Sequence, residues 1–299
     1  MTLASPPNQA GLLQRTDEKS RFGSVGASVW LGWFTAVWRA IVGNTNDASA
    51  LVSLMYSKPE PSNATDTDHD ITFPAGSYLL TNGTNYKIFN LATEMTKKID
   101  ATWAAGTDAG GRASGVALSS STMYYVQAIG KADGTIDFQF DTSATAANRD
   151  SSYSWYGIVR GNFVVFTDGS SNIQQFNIIG NRLEYETQIK DVDDSSLTDD
   201  TYETGTLSIP PSSTGLFFGW VAFTENAAIS VGDMYVKEPT TAQVKRVLSL
   251  KSYANTNEIG ASFSMPVNAS RQMQYKLDVG AGDTADQLII YTNGYLLNA

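Results

Sequence analysis

Strict two-residue alternation is the feature that most limits what this chain can become. Over 135–140, Ile136, Phe138 and Phe140 fall on one side of an extended chain and Thr135, Asp137 and Gln139 on the other. Residues 272–279 repeat the pattern, with Met273, Tyr275, Leu277 and Val279 set against Gln272, Gln274, Lys276 and Asp278. A period of two suits a half-buried antiparallel strand and cannot keep one face of a helix dry. Apolar and β-branched runs predict further strands at 123–129, 162–167, 172–178, 183–189, 216–223, 234–237 and 288–291. Turn chemistry separates them at Ala132-Asp133-Gly134, Asp168-Gly169-Ser170 and Thr292-Asn293-Gly294. Many short strands with no helices between them predict a mainly β fold, built as antiparallel β-sandwich or jelly-roll-like modules.

One segment breaks the pattern. Residues 1–26 are polar and rich in small residues and read as an extended arm, followed by one amphipathic helix over 28–42. Ser28 or Ser24 can cap its start and Gly43 can end it. Trp30, Trp33, Phe34, Val37 and Ile41 share one face at i, i+3, i+4, i+7 spacing, while Leu31, Trp38 and Val42 form a second stripe. Such a helix must be covered over most of its circumference. Packing on the chain's own sheet would do this, and so would self-association or docking into a larger assembly. The acidic, serine-rich run 190–204 reads as a loop between modules. The expected organisation is an arm and helix over 1–49, a central β-module over 50–189, an acidic linker over 190–204 and a C-terminal β-module over 205–299.

Composition narrows the function classes. With 42% hydrophobic and 17% charged residues, and 14 Tyr, 13 Phe and 6 Trp, the chain has the means to fold and not the profile of a disordered one. A net charge of −10 gives no electrostatic footprint for duplex DNA. Cysteine is absent, so disulfides, thiol nucleophiles and Cys-based zinc sites are excluded. No secretory signal is evident, and the longest apolar run, 27–42, is short for a membrane span and contains Arg39. A soluble product without membrane insertion is expected.

Candidate chemistry is sparse. His69 is the only imidazole, and no Gly-x-Ser-x-Gly elbow supports it as a catalytic base. Asp66, Asp68 and Asp70 resemble the first half of a calcium loop, but Ile71 stands where glycine is needed and Ser77 where a bidentate glutamate is needed. Asp191, Asp193 and Asp194 form a second acidic group. Gly110, Gly111 and Gly115 lack the Gly-Lys-Ser/Thr that would make them a phosphate cradle. Asn63, Asn82 and Asn268 head sequons that matter only on a eukaryotic secretory route. Trp103, Trp155, Tyr156 and Trp220 are the aromatics that could stack on sugar, or else serve a β core. No catalytic residue, metal or cofactor is assigned.

A longer pattern runs from Thr96 to Gly111: Thr96-Lys97-Lys98-Ile99, then Thr102-Trp103-Ala104-Ala105, then Gly110-Gly111. It continues through Met123-Tyr124-Tyr125-Val126, Lys131-Ala132-Asp133-Gly134, Phe140-Asp141-Thr142-Ser143-Ala144-Thr145-Ala146-Ala147-Asn148 and Thr167-Asp168-Gly169-Ser170. Ser270-Arg271-Gln272-Met273 and Tyr291-Thr292-Asn293-Gly294-Tyr295 complete it near the C-terminus. Over about two thirds of its length the chain thereby resembles tailed-phage virion appendage and tail-fibre-like structural proteins. In that family a tyrosine and two arginines usually precede an Ile-Gly after the Asp-Thr-Ser-Ala segment; here 154–161 holds the single, displaced Arg160. The resemblance implies a non-enzymatic structural component of the virion (tail, neck or fibre base) that assembles tail parts after synthesis in the host cytoplasm. It implies a homotrimer among other virion proteins, with Trp30, Trp33, Phe34, Val37, Trp38 and Ile41 as the assembly interface. The alternative is a receptor-binding tail-fibre protein that touches host surface glycan through Trp103, Trp155 and Tyr156.

Overall fold

In the computed structural model, residues 59–64, 66–195, 197, 200–223, 229–253, 257–279 and 287–297 are described. The expected arm and helix, including all six residues of the assembly interface, lie outside them. The described residues are all-β and contain no helix.

In chain order the strands are β1 (Ser62–Asn63), β2 (Asp70–Phe73), β3 (Gly76–Thr81), β4 (Tyr86–Leu91), β5 (Met95–Thr102), β6 (Ala109–Arg112), β7 (Met123–Gly130), β8 (Ile136–Asp141), β9 (Trp155–Ile158) and β10 (Val164–Phe166). There follow β11 (Phe176–Ile179), β12 (Arg182–Asp194), β13 (Glu203–Thr206), β14 (Thr214–Phe223), β15 (Ile229–Lys237), β16 (Lys245–Tyr253), β17 (Asn257–Pro266), β18 (Gln272–Val279) and β19 (Gln287–Leu296). The first ten make one sheet, ordered β1-β2-β5-β6-β8-β7-β9-β3-β4 with β10 paired to β7. A second sheet runs β11-β12-β19-β14-β17 and a third β13-β18-β15-β16.

The second and third sheets face each other. Phe217 and Val221 of β14 and Leu288 and Ile290 of β19 bury inward, as do Met234, Val236 and Leu277 from the third sheet. Gly219 and Gly205 permit close approach, because a Cβ on Gly219 would lie 2.9 Å from the Met234 methyl group opposite and one on Gly205 would lie 2.6 Å from a Val192 methyl group. A single apolar cluster continues from this sandwich into the first sheet through Phe163, Phe166, Phe176 and Tyr185. Rings bridge the seam: Phe163 meets Phe176 edge-on at 5.2 Å and Phe166 meets Tyr185 at 6.5 Å.

Strand β18 has the predicted bounds and the predicted alternation, with Met273, Tyr275 and Leu277 buried. Three expectations are corrected. First, β12 runs on to Asp194 and pairs with β19, so 190–194 is strand and the boundary expected at residue 189 falls inside an element. Acidic side chains suit a strand as well as a loop where, as here, Lys190 and Asp193 stay exposed and Asp191 finds buried donors in Ser208 and Thr292. Second, Thr292-Asn293-Gly294 is no turn but part of β19. Third, β8 is buried on both faces. The cover on its polar face comes from the loops at 103–108 and 143–153.

Candidate functional site

Those two loops contain the most motif-rich residues of the chain, and the first of them solves a problem of topology. Strand β6 lies parallel to both β5 and β8. Parallel neighbours ordinarily need a crossover of about a dozen residues or more. Here the chain leaves β5 at Thr102 and returns at Ala109, so the connection must fold back on itself. Lys97 holds it there. Its side chain is fully buried, its Nζ lies 3.0 Å from Asp137 Oδ1, and it donates to the carbonyls of Ala104 (2.5 Å) and Gly106 (3.1 Å). Asp137 Oδ2 accepts the Gly106 N–H at 2.9 Å, which closes the circuit. Burial pulls the Lys97 ammonium down from its usual pKa, and the neighbouring Asp137 carboxylate opposes that shift.

Both glycines of the pattern are sterically required. A Cβ on Gly110 would overlap the Thr102 carbonyl oxygen, and one on Gly111 would come within 2.7 Å of the Phe140 ring. Neither position works as a phosphate cradle, since each is filled by the chain itself.

The second loop is organised by Asp141, which is fully buried. It accepts from the Ser143 N–H (3.0 Å), the Asn148 N–H (3.1 Å) and the Asn148 side chain (2.8 Å). Gln127 donates to the Ser143 carbonyl at 2.7 Å and in turn accepts from Gln139 at 3.0 Å. The carboxylate that opens the Asp-Thr-Ser-Ala-Thr run thus holds the loop closed through Ser143 within the run and Asn148 just beyond it.

The aromatics singled out for sugar contact do not share a surface. The Trp103 indole N–H donates to the Phe138 carbonyl at 3.1 Å, and its ring meets Tyr153 edge-on at 5.2 Å. Trp155 packs on Phe89 at 5.9 Å against the core. Tyr156, the next residue of β9, points to the opposite sheet face and lies under the Arg149 guanidinium at 4.8 Å. The side chain of Arg160, the displaced arginine, is 3% exposed; it pairs with Glu60 and donates to the Gly180 carbonyl, tying the end of β9 to the β11–β12 turn.

The acidic groups also diverge. His69 Nδ1 lies 3.2 Å from Asp66, Asp68 accepts from Gln175 at 3.3 Å, and Asp70 faces Lys98 at 3.9 Å. Asp193 accepts from Lys190 and Gln287, while Asp194 accepts from Tyr275 at 3.1 Å. Asp191 turns the other way, into the protein, and takes three hydrogen bonds from Ser208 and Thr292. Burial raises the Asp191 carboxyl above its ordinary pKa, and those donors hold it back in part. Among the described residues no group of three His, Cys, Asp or Glu side chains converges on a point where a metal would sit.

No family model matches the chain, and no curated protein does. Among solved structures it is similar to the tandem CBM22 domain of Paenibacillus barcinonensis Xyn10C, at 10% identity over 79% of this chain and 98% of that one, with a TM-score of 0.27. It is similar to the Eiger TNF of S. frugiperda, at 11% identity over 32% of this chain and 66% of that one, with a TM-score of 0.24. A third likeness is to the protein of infectious bursal virus T=1 particles, at 15% identity, 80% and 66% coverage and a TM-score of 0.24. The chain thus spans slightly under two thirds of the length of the last two. Likenesses this distant carry no argument about what the chain does.

Proposed function

We propose that the protein is a structural component of a tailed-phage virion, in the tail, neck or fibre base, and that it mediates the assembly and attachment of tail parts. One observation carries the reading. Two polar residues of the pattern through which the chain resembles virion appendage proteins are spent on internal scaffolding: Lys97 and Asp141 turn inward to fix loops, each beside a buried polar neighbour, Asp137 and Gln127, and all four are shut off from solvent. A particle subunit is selected to hold a shape under load, and buried polar circuits of this kind specify one arrangement of loops over others.

In this proposal the N-terminal segment supplies attachment, with Trp30, Trp33, Phe34, Val37, Trp38 and Ile41 buried by neighbouring subunits in a homotrimer. Replacing Trp33 and Trp38 together with serine should abolish incorporation into particles while the far-ultraviolet spectrum of the β-region is unchanged. Light scattering on the intact chain should report three times its 32.3 kDa, falling to one in the double variant. Normal incorporation of the variant would remove the segment from the attachment role. Imaging of particles carrying a tagged subunit then decides between neck, baseplate and fibre.

A further inference from the structure

The sequence contains two Asn-Gly pairs, Asn82-Gly83 and Asn293-Gly294, and the fold puts them in opposite settings. A glycine has no side chain to keep its backbone nitrogen away from the preceding asparagine side chain. Asn293-Gly294 lies inside β19, with β12 on one side and β14 on the other. The Asn293 side-chain oxygen is shut off from solvent, and a Cβ on Gly294 would overlap the Leu183 carbonyl oxygen. Asn82-Gly83 instead opens the turn between β3 and β4. Residues 82–85 are all exposed there, and nothing lies within 4 Å of where a Gly83 Cβ would stand.

The hydrogen bonds of that turn add more than exposure. Asn82 Oδ1 accepts from the Thr84 N–H at 3.0 Å and from the Asn85 N–H at 2.8 Å. Two backbone donors on one carbonyl oxygen are the arrangement that stabilises the negative charge formed when a nucleophile adds to the carbon. The Asn82 N–H donates to the Asn85 carbonyl at 3.2 Å, which keeps the two donors in place. The nucleophile is the next backbone nitrogen in the chain. The Gly83 N–H donates to Thr81 Oγ1 at 3.0 Å and not to a ladder carbonyl, so only a side-chain hydroxyl at the surface holds its proton.

We propose that Asn82 is a site of self-modification, at which the turn promotes deamidation of its own asparagine. Hydroxide takes the Gly83 proton, and the nitrogen forms a bond to Asn82 Cγ. The Cγ–Nδ2 bond then breaks as Nδ2 takes a proton from water and leaves as ammonia. Water opens the resulting cyclic imide at either carbonyl. One opening leaves an aspartate, and the other leaves an isoaspartate whose main chain is longer by a methylene. Either product puts a new negative charge at the hairpin tip, beside the exposed Tyr86 of the edge strand β4. The hairpin thus gains charge with age and without an enzyme. The proposal stands independently of the virion reading.

The test holds the full chain in warm buffer at about pH 7 and at about pH 9, followed over weeks by proteolysis and mass spectrometry. A gain of about 1 Da should appear in the peptide carrying Asn82, faster at the higher pH, and none in the peptide carrying Asn293. Asn82 should react at least about tenfold faster in the folded chain than in a synthetic peptide of residues 79–88, because losing such donors slows carbonyl addition by that much or more. In urea Asn293 should react as well, and Asn82 should fall to the peptide rate. Asn82→Gln should abolish the gain. If Asn293 reacts as fast as Asn82 in the folded chain, or Asn82 reacts no faster there than in the peptide, the proposal is overturned.

Discussion

A pair of deeply buried charges illustrates how single residues hold this chain. Lys97 and Asp137 gain little from each other alone, because taking two ions out of water costs about as much as their attraction returns. What fixes them is that each also serves backbone groups of the folded-back loop, the Ala104 and Gly106 carbonyls on one side and the Gly106 N–H on the other. Lys97→Met should therefore cost about 3–5 kcal/mol in chemical denaturation, by leaving an uncompensated carboxylate. The double variant Lys97→Met, Asp137→Leu should stay well short of the wild-type stability, since the loop carbonyls remain unpaired. Full recovery would mean that the pair is dispensable and the loop holds itself. Asp191 makes a pH-dependent prediction. Its folded pKa is raised above 3.8, so between 3.8 and that higher value the native state holds more protons than the unfolded one. Its contribution to stability is fully present below 3.8 and is lost as pH rises through the folded value. The stability of wild type relative to Asp191→Asn should decline across that window and then level off. Urea midpoints measured from about pH 3 to about pH 7 would show it, and a constant difference would mean that Asp191 does not titrate there.

At the scale of elements, the β6 insertion depends on two glycines more than on any strand propensity. Gly110→Ala brings a methyl group onto the Thr102 carbonyl and should cost more than about 4 kcal/mol, read as loss of yield or of the cooperative melt. Gly115→Ala meets no neighbour and loses only a backbone preference at φ +78°, so it should cost far less. Ordinary stability in the first variant would mean that β6 can shift sideways. The same elements show what was legible in advance. Strand β18 alternates and lies over a core on one side only, so its period of two translated directly into burial. Strand β8 alternates as cleanly, yet Asp137 and Gln139 are as buried as Phe138, because loops distant in sequence fold over them. Periodicity reports two different faces and cannot say that the polar one will also be covered. Thr292-Asn293-Gly294 failed for the complementary reason: pairing with β12 and β14 on both sides outweighed a local turn preference. Of the sites, the aspartates at 66–70 and 191–194 are close in sequence, yet their side chains go to separate partners, which spacing alone does not reveal. The open cleft beside β12 and β19 left no trace in spacing, because its walls come from five strands, β12, β14, β16, β17 and β19, far apart in the chain.

For the molecule as a whole, the question is whether the first sheet and the sandwich are two stable bodies or one. The seam argues for one. Tyr295, at the C-terminal end of β19, is fully buried, and its hydroxyl both donates to the Val164 carbonyl and accepts from the Val164 N–H, each at 3.0 Å. Strand β10 thereby has its backbone satisfied by a residue that arrives last in the chain. Asn162 donates to the Leu296 carbonyl at 3.0 Å and the Asp68 carbonyl accepts from Ile173 at 2.7 Å, so polar contacts flank the shared aromatic cluster. Cutting the chain after Phe166 would expose Phe163 and Phe166 and strip Val164 of both partners. A fragment covering 59–166 should therefore bind a hydrophobic dye and give no cooperative melt. In the intact chain, Tyr295→Phe should cost about 1–3 kcal/mol, the usual consequence of leaving buried backbone groups unpaired. That loss should appear equally in both halves. Variants keeping Trp155 or Trp220 as the sole tryptophan would report the first sheet and the sandwich separately. Their fluorescence midpoints should coincide and should shift together when Tyr295 is changed. Two separated transitions, with Tyr295→Phe moving only one, would mean that the sheets fold independently and that the seam merely joins finished modules.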